Sequence, residues 1–169
     1  MGSEVGSILL GTSGLTFAVL VALALACIRS NVATDHVPRI RQIAALAVLL
    51  QLAHFGEEYP FQFYVRFPEL LGLVPWSAGF FVAFNLAWFV VWCLAIASIA
   101  RFPRGAAFPL WFLAIASAAN GVIHPLLALA VGAYFPGLWS SPFVGILGAM
   151  LLSAMASATS PGGKEPGAV

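Results

Sequence analysis

Charge is the first thing this chain lacks. Only 8% of its 169 residues are Asp, Glu, Lys or Arg, against about 25% in an ordinary soluble domain. So few charges cannot cover a surface that faces water, which excludes a soluble fold. The net charge is +1, which leaves no electrostatic footprint for nucleic acid. Cysteine is scarce too. Cys27 and Cys93 lie within apolar runs and read as buried structural thiols rather than a disulfide framework. No Lys or Arg precedes the first apolar run, so it lacks the basic start of a signal peptide and is expected to remain as a span. The sequence shows no internal repeat, which speaks against the repeat-built architecture of most secondary transporters. A homodimer would supply the missing symmetry.

Apolar residues are abundant: 62% are hydrophobic and the mean hydropathy is +1.00. A spanning helix needs about 20 such residues. Five spans are expected, at roughly Ile8–Ile28, Arg41–Tyr59, Ser77–Ala100, Ala107–Tyr134 and Leu138–Ala158. The fold class is therefore an all-α polytopic membrane bundle in one domain, residues 1–158. The Pro/Gly-rich tail at 159–169 is expected to be disordered. Arg29, Arg39, Arg41, Arg101, Arg104 and Lys164 all fall on one side of this layout, and Arg66 alone on the other. The positive-inside rule then puts the N-terminus outside and the C-terminus in the cytoplasm. The connection 60-PFQFYVRFPELLGLVPW-76 is too apolar for a free loop and is expected to lie over the bundle mouth as an interfacial or re-entrant segment.

Against this background 51-QLAHFGEEYP-60 stands out. Gln51, His54, Glu57 and Glu58 follow i, i+3, i+6, i+7 spacing, which shares one helix face, and Asn120 and His124 do so at i, i+4. Depth can be counted at ~1.5 Å per residue. His54 is then ~20 Å above Arg41, Asn85 ~22 Å above Ala100 and His124 ~24 Å above Phe108. Three helices thus bring polar groups to one level in the outer half of the membrane. Ionisable groups in spans usually point into the bundle, toward each other or toward water. Taken singly, each has a plainer use: interfacial carboxylates for Glu57 and Glu58, helix-to-helix packing for Asn85 and Asn120. His124 is followed by Pro125, which is expected to free the carbonyl of Gly121 and break the helix beside a cavity.

His54, Glu57 and Glu58, read as H-x-x-E-E, resemble the signature of the bacterial integral-membrane HXXEE family. The segments 120-NGVIHP-125 and 132-GAYFPG-137 resemble that family's second block, and the likeness covers roughly Arg39 to Ala158. The resemblance implies a similar span count, these site residues and a bacterial cytoplasmic membrane; it implies no particular reaction.

The expected site therefore has His54, Glu57, Glu58, Asn120 and His124 as catalytic residues, with Gln51, Asn85, Tyr59 and Trp88 around a substrate. Two chemistries are open to this set. Two adjacent carboxyls in one low-dielectric pocket resist carrying two negative charges, so one of them beside a His makes an acid–base pair. Aromatic walls would then suit isomerisation or cyclisation of an isoprenoid- or lipid-like substrate. Alternatively His54, Glu57, Glu58 and His124 hold one divalent ion, iron or zinc. His36 lies in the connection and cannot reach. A third class, a proton-coupled transporter of a small solute, would use the same His and Glu residues as a relay. The expected partners are a hydrophobic small molecule and membrane lipid.

Overall fold

The computed structural model describes residues 3–29 and 31–160, and these are almost entirely helical. The elements are α1 (Glu4–Gly11), α2 (Ser13–Ile28), β1 (Asn31–Val32), α3 (Val37–Glu58), α4 (Phe63–Leu70), α5 (Ala78–Ser98), α6 (Pro103–Val131), α7 (Ser141–Ala158) and β2 (Thr159–Ser160). Three of the helices, α5, α6 and α7, are long and apolar enough to cross a membrane, and α1 with α2 forms a fourth such unit if the bent pair is counted as one. α3 has 22 residues, enough to cross, but Arg39, Arg41 and its own polar stripe make it less apolar than these.

The first expected span is not straight. At 11-GTSG-14 the chain bends by 50°. The Thr12 hydroxyl and amide both donate to the carbonyl of Ile8, closing α1 before α2 starts. The expected break at Pro125, by contrast, does not occur: α6 runs unbroken as 29 residues through both Pro109 and Pro125. It ends at Gly132, whose φ of 66° is the left-handed cap that glycine favours.

α6 is the hub, packing against α7, α2, α5 and α3. Its approach to α7 is close at Gly121 and Gly145, where a Cβ on either would lie 2.6 Å from the other's Cα. Gly148 meets the backbone of Ser117 and Ala118 in the same way. Small residues bring helix backbones together where lipid offers no hydrophobic drive. α2 and α5 both pack on α6 but scarcely on each other, which leaves a cleft between them.

The 60–76 connection forms α4 and a return loop that is clamped to α1. The Glu4 carboxylate accepts from the Ser77 amide at 2.7 Å, Ser7 donates to the Val74 carbonyl, and the Trp76 indole donates to Ser7. At the opposite end β1 pairs antiparallel with β2. Arg29 donates there to the carbonyls of Ala156 and Thr159 at the end of α7. The expected tail at 159–169 thus begins with a strand, and from residue 161 onward it lies outside the described residues. Cys27 and Cys93 are exposed free thiols, not buried ones; each sits on the outward face of its helix.

Candidate functional site

Three side chains from two helices meet where α3 ends. His54 and Glu58 are one turn apart on α3, and His124 faces them from α6. All three are buried, at 0%, 7% and 2% exposure. The His54 and His124 rings cross at 87° with centroids 4.6 Å apart. Their Nε2 atoms are 3.2 Å from each other. Glu58 Oε1 lies 3.5 Å from His54 Nε2 and 3.4 Å from His124 Nε2. These atoms form a nearly equilateral triangle.

The other ring nitrogens settle which way each imidazole is protonated. His124 Nδ1 is 2.7 Å from the Pro136 carbonyl, which can only accept, so Nδ1 carries the proton. His54 Nδ1 is 2.7 Å from Ser140 Oγ. The Ser140 hydroxyl gives its own proton to Glu57 Oε2, so it accepts from His54 Nδ1–H. Glu57 is an acceptor throughout: the amides of Trp139 and Ser140 and the Tyr134 hydroxyl also donate to it. Neutral rings in these tautomers turn a bare Nε2 lone pair toward the same point as a Glu58 oxygen.

The turn between α6 and α7 is what holds the rings. Pro136 supplies the carbonyl, Ser140 the hydroxyl, and Gly137 the space. Gly137 has φ of 88°, and a Cβ there would sit 2.5 Å from the His124 ring and 2.7 Å from the His54 ring. The close approach of Gly121 to Gly145, one turn from His124, seats the start of α7 over the pair. Phe63 of α4 packs on the His124 ring at 5.4 Å.

Below the triangle lies a chamber of about 280 Å³. Gln51, Glu58, Asn85, Asn120 and His124 bring polar groups to it, and Phe67, Phe81, Phe84, Trp88, Trp92 and Phe112 form much of its apolar wall. Leu10 to Gly14 at the α1–α2 bend line one side, and α2 and α5 both contribute to the wall. Asn85 donates from Nδ2 to the Phe81 carbonyl at 2.9 Å, which leaves its own oxygen free.

The structure thus brings His54, Glu58 and His124 together, with Asn120, Gln51, Asn85 and Trp88 along the chamber. Glu57 does not join the triangle. Neighbours on a helix point about 100° apart, so one of two adjacent carboxylates must leave the interior face. Glu57 turns to the α6–α7 turn instead and reaches the centre only through Ser140. As a direct metal ligand it is therefore corrected. Tyr59 is also corrected: as the residue capping α3 it is 44% exposed and packs on Phe55 and Tyr64, away from the chamber. Ser140, Tyr134, Pro136 and Gly137 were not singled out as site residues. The 132-GAYFPG-137 turn was the available signal, because a glycine after Pro next to a histidine helix marks tight backbone approach.

Comparison of the chain with protein-family models, with curated proteins and with solved structures returns no match.

Proposed function

We propose that this chain is a membrane enzyme that acts on a hydrophobic substrate at a single divalent metal ion, zinc or iron, held by His54, Glu58 and His124. The observation that carries the reading is the convergence of three lone-pair donors whose remaining ring N–H groups are already engaged. A cation is what such a set lacks. The edges of 3.2, 3.4 and 3.5 Å match those of a tetrahedron with ligand distances of about 2.0–2.2 Å, whose edges are ~3.3–3.5 Å. Three protein ligands and an open fourth position are the arrangement of a catalytic rather than a structural zinc site. Ring Nδ1–H groups given to a carbonyl and to a carboxylate-anchored hydroxyl are the usual outer partners of metal-bound imidazoles.

Acid–base chemistry without metal fits this geometry less well. A protonated Glu58 could donate to one Nε2 only, and 3.4–3.5 Å is long for an O–H donor. A metal ion there supplies Lewis-acid chemistry, polarising a substrate oxygen. The chain's own residues do the rest: the chamber binds the apolar body, Phe63 and α4 cover the centre, and Glu57 with Ser140 fixes His54.

The reading includes α3 as the remaining span, giving five, with the N-terminus outside and the C-terminus in the cytoplasm of a bacterial cytoplasmic membrane. The six-to-one distribution of Lys and Arg supports this, as does the H-x-x-E-E likeness. Elemental analysis of detergent-purified protein tests the centre. One zinc or iron per chain is expected in the wild type, and little in His54→Ala, His124→Ala or Glu58→Gln. A metal-free wild type that loses activity on Glu58→Gln would return the site to acid–base chemistry.

A further inference from the structure

The chamber is neutral along its whole length apart from Glu58. Among the described residues no Lys or Arg lines it. A phosphate or carboxylate head drawn into it would be desolvated with no counter-charge and would lie beside a carboxylate, which is strongly unfavourable. Anionic lipids are therefore poor occupants, although the walls suit their tails.

The polar groups that are present are uncharged, and two of them want a partner. Gln51 is 8% exposed and lines the chamber one turn below His54, yet its Oε1 has no hydrogen-bond partner among the described residues. Trp92 is 5% exposed, lines the same chamber, and its Nε1–H is also unpartnered. The two lie on α3 and α5, which pack against each other. Phe55 of α3 meets Phe89 of α5, with centroids 6.1 Å apart. Gln51 is one turn further down from Phe55, and Trp92 about one turn further down from Phe89. One neutral acceptor and one neutral donor thus lie at about one level on adjacent helices, both lining the chamber. Buried polar groups without partners are uncommon and costly.

We propose that the occupant of this chamber is an uncharged lipid-soluble alcohol, with its hydroxyl donating to the Gln51 amide oxygen and accepting from the Trp92 indole. A hydroxyl answers both groups at once; a ketone or ester answers only the indole, and an alkane neither. Entry is from the bilayer through the α2–α5 cleft. The subsite lies one helical turn, ~5 Å, beneath the His54–Glu58–His124 centre. That this alcohol is the substrate rests on the proposed enzymatic reading; that it binds does not.

Thermal-shift titration of the detergent-purified protein with decanol, decane, decyl phosphate and the matching methyl ketone tests the inference. Decanol is expected to bind about tenfold more tightly than the ketone, the worth of one added hydrogen bond that relieves a buried group, and more tightly again than decane, which makes neither bond; decyl phosphate should bind most weakly. Gln51→Met, which nearly keeps volume, and Trp92→Phe, which keeps an aromatic ring, both lose the polar atom; each should erase much of the preference for decanol over decane while keeping its metal content. Chelated wild type should retain it. Equal binding of alcohol and alkane, stronger binding of the phosphate, or an unchanged preference in both variants would overturn the subsite. A preference lost on chelation alone would place the hydroxyl on the metal and overturn it equally. Absence of metal from wild type would sink the metal centre and leave this result standing.

Discussion

At the residue scale, the division of labour between Glu57 and Glu58 decides the chemistry. Glu58 faces inward at the triangle, while Glu57 orients His54 through Ser140. Removing an outer partner of a metal-bound imidazole typically costs 10–100-fold in affinity. Glu57→Gln and Ser140→Ala are therefore expected to bind metal at full stoichiometry but about 10–100-fold more weakly, as measured by competition with a chromophoric chelator; affinity equal to wild type in both would remove Glu57 from the site. Gly137→Ala should do more damage. It forces a Cβ into both rings and adds about 1–3 kcal/mol of backbone strain, so a lower unfolding temperature together with loss of metal is expected. Tyr134, in the turn outside the helices, gives a pH signature. Burial, then its hydrogen bond to Glu57, push its phenol above the ordinary tyrosine range. A raised folded-state value means that its stabilisation is fully present below the unfolded value and is lost as pH rises through the folded one. In alkaline spectrophotometric titration, wild type minus Tyr134→Phe should show a tyrosine that ionises only well above the usual range.

At the scale of elements, the site depends on how α6 meets α7. Gly121 and Gly145 allow the turn at 136–140 to reach across both imidazoles. Gly145→Leu should push the helices apart, costing about 1–3 kcal/mol or more as overpacking does, and should lower metal content although no ligand is changed. An unaltered metal content would show that the turn holds the rings without this approach. The periodicity of α3 and α6 made His54, Glu58 and His124 legible in the sequence, because helical spacing places residues on a face before any tertiary contact is known. It could not say which of Glu57 and Glu58 faces inward, since a helix stripe about 100° wide admits either. Nor could it reveal Ser140, whose role comes from a turn conformation set by long-range packing. The bend at 11-GTSG-14 escaped notice for the opposite reason: local hydrogen bonding by Thr12 overrode a uniformly apolar run. Pro125 failed to break α6 because packing on four neighbours holds the helix on both sides of it.

At the scale of the molecule, composition alone carried the class. An apolar fraction of 62% leaves few alternatives to a membrane bundle, and three helices, or four with the bent pair, meet the length and apolarity of spans. The polar stripe of α3 is what hides the remaining proposed span from a hydropathy criterion: the same residues that build the centre dilute the helix that carries it. Reporter fusions after Ser30 and after Arg104 are expected to read cytoplasmic, and one after Arg66 external. A cytoplasmic reading at Arg66 would return α3 to one side of the membrane and put the His54 level out of register with α6.

The lock that the 136–140 turn places on the two imidazoles also sets an order of assembly. Synthesis delivers α3 first, with His54 and Glu58, then His124, and only afterwards the carbonyl, glycine and hydroxyl that orient both rings. Until α7 has entered the bilayer, the nascent chain carries an inward-facing carboxylate and two imidazoles free to rotate. On the proposed metal reading, ion capture is then a late event in biogenesis, and chains truncated before Ser140 should emerge from the insertion machinery as apoprotein and be candidates for quality-control proteolysis.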